Sequence, residues 1–152
     1  MDATDKRLLD ELQTDCAQNL DKLAETIGLS RNACWRRVKA LEENGTLTAR
    51  VGLADPKALN LGLTVFMAIR TVHHNKSWAE RFRKAVAGFD EITGVYRMSG
   101  DTDYMIHARV PDMRAYDRLY TRLIERIDLS DVASSFVMEE IKHTTRLPTH
   151  FA

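Results

Sequence analysis

The chain has 152 residues, and its 22 Lys and Arg balance 22 Asp and Glu for a formal net charge of +0. Bulk charge therefore supplies no general attraction for nucleic acid or an anionic membrane, and any such affinity must come from a local patch. No apolar run reaches the roughly 18 to 20 residues that span a bilayer, and two cysteines outside any Cys-x-x-Cys pair, with no signal peptide ahead of the first helix, point to a reducing, cytoplasmic compartment.

Thr4 is a reasonable N-cap for a first helix over residues 5–13, in which Leu8, Leu9 and Leu12 recur at helical spacing and Asp2 and Asp5 suit the positive helix N-terminus. A second helix starts after Asn19, carries Leu20, Leu23, Ala24 and Ile27 on one face and stops at Gly28, which can adopt the αL conformation that ends helices. Leu29 and Ser30 then make a very short turn. Ser30 caps a third helix over residues 31–43, closed by Asn44-Gly45, with Cys34, Val38 and Leu41 pointing inward. The pattern is helix, tight turn, helix. A head of about 55 residues buries only about 60% of its extended surface, so support from a second domain or a second copy is expected. Residues 46–50 and 51–54 are expected to be the two short strands of a wing, and residues 55–62, opening with Asp55-Pro56, a linker.

From residue 63 to 152 the chain reads strand, helix, strand, strand, helix, strand, over residues 63–72, 77–87, 91–98, 103–110, 112–127 and 132–138. This order is the split βαβ, ferredoxin-like arrangement, so the fold class is α+β with an N-terminal winged helix-turn-helix. The helices carry apolar stripes, Trp78, Phe82, Val86 and Phe89 in one and Met113, Tyr116, Tyr120, Leu123 and Ile127 in the other. An antiparallel sheet covered on one face leaves the other open, and apolar residues there invite a second copy.

On the third helix Asn32, Trp35, Arg36 and Lys39 lie at i, i+3, i+4 and i+7, opposite the inward stripe. Between Arg31 and Lys39 there are four cations and no acid, so positive charge is concentrated where a recognition helix needs it. Arg36 suits guanine and Asn32 adenine in a major groove, while Arg31, Arg37 and Lys39 suit phosphates, with Ser30 and the helix N-terminus as further donors. Arg37 also lies near the buried stripe, where it could instead bridge to an acid on the first helix. A charged stripe is the ordinary exterior of a helix; the short turn, the cap, the wing and an exposed Trp35 together favour DNA. Two such helices in a dimer would enter successive major grooves about 34 Å apart and read a near-palindromic operator.

The ordered set Asp5 to Gln13, Leu23-Ala24, Gly28-Leu-Ser30, Arg36-Arg37-Val38, Leu41-Glu-Glu-Asn-Gly45 and Gly100-Asp-Thr-Asp103 resembles the Lrp/AsnC family of transcription regulators over nearly the whole chain. Cys34-Trp-Arg-Arg37, His73-His74 with Trp78, Ser134-Ser-Phe136 and Thr144-Thr145 with Leu147-Pro148 are most similar to its cysteine-responsive, DecR-like branch. The resemblance implies homodimers formed through the C-terminal sheets, further association to tetramers or octamers, and an amino-acid effector, cysteine or another small one, held near the Gly100–Asp103 loop. Ser99, Gly100, Asp101, Thr102, Asp103 and Tyr104 are then the candidate effector residues. A zwitterion needs acceptors such as Asp101, Asp103 or free carbonyls for its ammonium and backbone N–H donors near Gly100 for its carboxylate, with hydroxyls from Ser134 and Ser135. Without the resemblance, the loop reads as a plain hairpin turn in which Asp101 and Asp103 shape the backbone.

His73 and His74 are adjacent and point to opposite faces of a strand, so a shared metal is not expected. Cys16 and Cys34 read as small packing residues. No Gly-x-Ser-x-Gly, phosphate-binding Gly loop or His-Glu-x-x-His occurs, so neither catalysis nor a cofactor is expected. Two rivals remain: an architectural DNA-binding protein, which would coat a duplex through many phosphate contacts, and a metabolic ligand-binding module on the ferredoxin-like domain.

Overall fold

Leu8, Leu9 and Leu12 fix one apolar side of a helix, and the chain forms it as α1, Ala3–Thr14. The computed structural model, which describes residues 1–152, starts this helix earlier than Thr4 would. Asp2 is the cap: its carboxylate accepts the Asp5 N–H at 2.8 Å while Asp5 accepts the Asp2 N–H at 3.1 Å. This reciprocal pair satisfies two orphan donors at once, which a lone Thr4 does not. Helix α2, Leu20–Ile27, is capped by Asn19 and ends at Gly28 with φ +79°. After Leu29, Ser30 accepts the Ala33 N–H at 3.3 Å and opens α3, Arg31–Glu43. Leu8, Leu12, Leu23, Ile27, Cys34, Val38 and Leu41 bury one another between the three helices.

The expected wing strands at 46–50 and 51–54 do not form; these residues carry no strand pairing. Leu47 packs on the helical core and its N–H bonds the Leu41 carbonyl at 2.8 Å, while Arg50 turns back to Glu42 at 2.6 Å. A lone two-stranded ribbon is marginal in water, and here local bonds to the end of α3 replace it.

The chain divides into two compact units, Met1–Leu53 with Lys142–Ala152, and Ala54–Ile141. The C-terminal boundary thus differs from the expected 63–152 domain. Residues 142–152 belong with the helical unit because α1 offers them polar partners. The Gln13 amide both accepts from Leu147 N–H at 2.7 Å and donates to its carbonyl at 3.1 Å. Asp10 takes the Thr149 hydroxyl at 3.1 Å and Arg146 at 3.3 Å.

In the second unit, strands β1 (Leu63–Arg70), β2 (Ile92–Arg97), β3 (Tyr104–Val110) and β4 (Asp131–Phe136) form one antiparallel sheet in the order β2-β3-β1-β4. Helices α4, Lys76–Val86, and α5, Met113–Arg126, follow β1 and β3, which is the ferredoxin-like order expected. Alternation decides which residues are inner: Val65, Met67 and Ile69 are fully buried while Phe66 between them is 40% exposed. Trp78, Phe82, Leu119 and Leu123 meet that inner face, and the Trp78 indole N–H bonds the Asp128 carbonyl at 3.0 Å. The stripe of α5 runs through Leu119 rather than Met113, which is exposed, with Tyr116 and Tyr120 on its flank. On the open face Phe66, tilted against His107 with ring centroids 4.9 Å apart, and Tyr96 stay accessible. No helix is long and apolar enough to cross a membrane.

Candidate nucleic-acid interface and effector loop

The caps that start α3 leave its outer face free. Asn32, Trp35, Arg36 and Lys39 are all exposed there, Trp35 by 52%, while Cys34 and Val38 anchor the opposite side. Arg36 and Asn32 have no ion pair or side-chain hydrogen bond within the chain, so their donors are available to base edges. Lys39 lies 5.4 Å from the Trp35 ring centroid and 3.9 Å from Glu43, and Arg31 pairs with Asp21 at 3.0 Å. These exposed pairs are weak enough to yield to phosphate. Ser30 uses an oxygen lone pair on its own helix and keeps its hydroxyl proton for donation.

Arg37, alone among these cations, is turned to α1. Its guanidinium meets Asp2 at 2.7 Å and Asp5 at 2.6 Å and so fastens α3 to the start of α1. The Asp5 N–H and the Arg37 guanidinium hold the Asp2 carboxyl below the usual carboxylate range, and the two carboxylates push Arg37 up. Asp2 and Asp5 were absent from the expected site; the signal was the Asp-x-x-Asp spacing of a reciprocal cap facing an arginine. Burial pushes the Cys34 thiol up, which keeps it a neutral packing group.

Residues 99–102 join β2 to β3 as an exposed or half-exposed hairpin, closed by the Met98 N–H on the Asp103 carbonyl at 2.9 Å, with Gly100 at φ +99°. Ser99, Gly100, Asp101 and Thr102 are thus gathered in one place. Asp103 shapes the loop: its Oδ2 accepts the Thr71 N–H at 2.8 Å and its own N–H bonds the Ile69 carbonyl at 3.0 Å. Tyr104 departs from the loop set, because its ring packs 4.6 Å from Phe82 and 5.7 Å from Trp78 on the helix side. Ser134 and Ser135 are separated as neighbours on a strand must be. Ser134 accepts the Tyr116 hydroxyl at 2.6 Å on the helix side, and Ser135 is exposed opposite Phe66 on the open face. They cannot serve one ligand together.

His73 lies 3.6 Å from Asp128 and His74 3.9 Å from Asp103, on different acids, and no cluster of three metal-ligating side chains is present. Cys16 and Cys34 are both free thiols.

The Lrp/AsnC ligand binding domain matches residues 64–147 and the AsnC-type helix-turn-helix domain residues 1–42. The chain is 46% identical over 149 residues to the DNA-binding transcriptional activator DecR of Escherichia coli (strain K12), covering 97% of this chain and 98% of that protein. The crystal structure of an AsnC family transcriptional regulator from Agrobacterium tumefaciens superposes with a TM-score of 0.96 at 45% identity over 99% of both chains. A transcriptional regulator from Neisseria meningitidis, solved as its L-Met complex, superposes with a TM-score of 0.94 at 34% identity over 99% of this chain and 98% of that one. With both domain models and near full-length relatives in agreement with the α3 face and the ferredoxin-like sheet, the chain belongs to the Lrp/AsnC family of DNA-binding transcription regulators.

Proposed function

We propose that this chain binds operator DNA sequence-specifically through α3 and that a free amino acid, with cysteine as the first candidate, sets its occupancy. The single observation that carries the DNA reading is the outer face of α3, where Asn32 and Arg36 stand unpaired beside an exposed Trp35 while Arg37 ties the same helix to α1. A helix held from behind with base-reading donors in front has the form a major groove requires. The cysteine-responsive branch that the sequence resembles makes cysteine the first candidate, and the L-Met complex of the Neisseria relative supports an amino acid in general. The Ser99–Thr102 hairpin is the candidate effector contact, with Asp103 holding its base. The open face with Phe66 and Tyr96 supports a homodimer, on which tetramers or octamers would build.

Mobility shift on the upstream DNA of the protein's own gene and its neighbours, with and without cysteine, tests both parts. A specific shift altered by cysteine is expected. Arg36→Ala should cost about 1 to 3 kcal/mol on the operator and relax base preference, whereas Lys39→Ala should weaken operator and random DNA alike. Equal losses on both DNAs for Arg36→Ala would remove its base-reading role.

A further inference from the structure

The chain as a whole is neutral, but its charge is not spread evenly. Helices α4 and α5 pack on the same inner face of the sheet and turn their other sides to solvent. There α4 carries four cations against one acid, and α5 four against two. All of these cations are exposed. On α5, Arg114, Arg118, Arg122 and Arg126 recur at every fourth residue and form one slowly winding stripe along the helix. Arg81 and Lys84, three apart on α4, add to it. Only Arg122 among the cations of the two helices has an acid partner, Glu91 at 2.8 Å. Arg126 lies instead over the Phe89 ring, 4.4 Å from its centroid.

Helix stability accounts for part of this pattern. Cations in a last turn suit the negative C-terminal end of a helix, which covers Arg83, Lys84 and Arg126. Lys76 and Arg114 sit in first turns, at the positive end, and neither turn holds an acid. Like charges four residues apart on a helix repel, so Arg114, Arg118 and Arg122 in series weaken α5 taken alone. A stripe that costs stability and is left almost without internal partners calls for an anionic partner outside the chain. The chain belongs to a family of DNA-binding regulators, so the polyanion at hand is the duplex.

We infer that the arginine stripe of α5, with Arg81 and Lys84 of α4, is a second DNA contact, which holds the phosphate backbone outside the half-site taken by α3. Arginines four apart are spaced by about 6 Å along a helix, and each strand of a duplex carries one charge per about 3.4 Å. Each side chain therefore meets roughly every second phosphate of a strand. A guanidinium binds phosphate oxygens as a planar fork, and stacking on Phe89 fixes Arg126 by its face while its N–H edge stays free. Phosphate contacts carry no base information, so this surface adds affinity and leaves sequence choice to α3. The inference rests on the DNA binding proposed above and extends it from one helix to a second surface.

Fluorescence anisotropy with the full-length protein tests the surface, using one duplex cut to the protected operator and one extended by about two helical turns of random sequence on each side. The double variant Arg114→Gln with Arg118→Gln removes two exposed, unpaired charges, so its unfolding midpoint should not fall. On the extended duplex it should bind about 10-fold more weakly at low salt, with a log–log salt slope shallower by about 2. On the short duplex it should match wild type. Lysine at both positions should restore most of the slope. Equal affinity and slope for the glutamine variant and wild type on the extended duplex would overturn the inference, and altered sedimentation of the DNA-free variant would then make the stripe a contact between copies. Equal losses on both duplexes would overturn it too, since the stripe would then act on the half-site. If wild-type protein binds operator and random short duplexes alike, the operator reading fails, and the comparison of short with extended duplex still decides the stripe.

Discussion

Arg36 and Arg37 are neighbours in sequence with different surroundings, because one residue is a step of about 100° around a helix. That step carries Arg36 to the outer face and Arg37 back to Asp2 and Asp5. The charge run showed four cations but not which of them the fold had already spent; only the packing of α1 against α3 supplied the acids. The Asp2 pairing also makes a pH prediction. The folded carboxyl titrates below its ordinary value of about 3.9, so its stabilising contribution is complete above that value and is lost as pH falls through the lower, folded one. Asp2→Asn keeps a good cap but removes the charge. The variant should melt below wild type at pH 7, and the gap should close as pH falls from about 4 downward, measured as unfolding midpoints against pH. Equal midpoints for variant and wild type at pH 7 would mean that Asp2 acts as a cap alone.

Elements were legible where a cap and a periodic stripe coincide. Asn19 with Gly28 and Ser30 with Asn44 bounded α2 and α3 as expected, because short-range hydrogen bonds decide both ends. Gly28 has φ +79°, where a side chain is strained even though nothing crowds its Cβ position. Gly28→Ala should therefore cost about 1 to 2 kcal/mol, read by urea denaturation, and should weaken DNA binding only as far as it loosens the turn before α3. The elements that failed are those that need partners distant in sequence. The wing had strand-like residues but no third strand to pair with, and the C-terminal residues 142–152 carry no periodicity that announces their docking on Gln13 and Asp10. Ser134 and Ser135 stood together in the sequence and on opposite faces in the sheet.

At the scale of the whole molecule, the open sheet face sets the expected assembly. Phe66, flanked by His107 on β3 and Ser135 on β4, sits at the middle of that face. Phe66→Lys should leave the inner core intact, since Phe66 lies between buried Val65 and Met67 and points away from it, yet shift the proposed dimer toward monomer in sedimentation. A variant that remains dimeric would place the dimer contact elsewhere. The sequence by itself determined the helix-turn-helix, the order of the ferredoxin-like strands and helices, and which face of α3 is exposed. Those follow from spacing and caps, which act over a few residues. Only the tertiary structure decided that Arg37 pairs with Asp2 and Asp5, and that Asp103 clamps its hairpin while Tyr104 packs on Phe82 and Trp78. Each of these depends on which groups distant in the chain are brought within a few ångströms, and that is settled by packing.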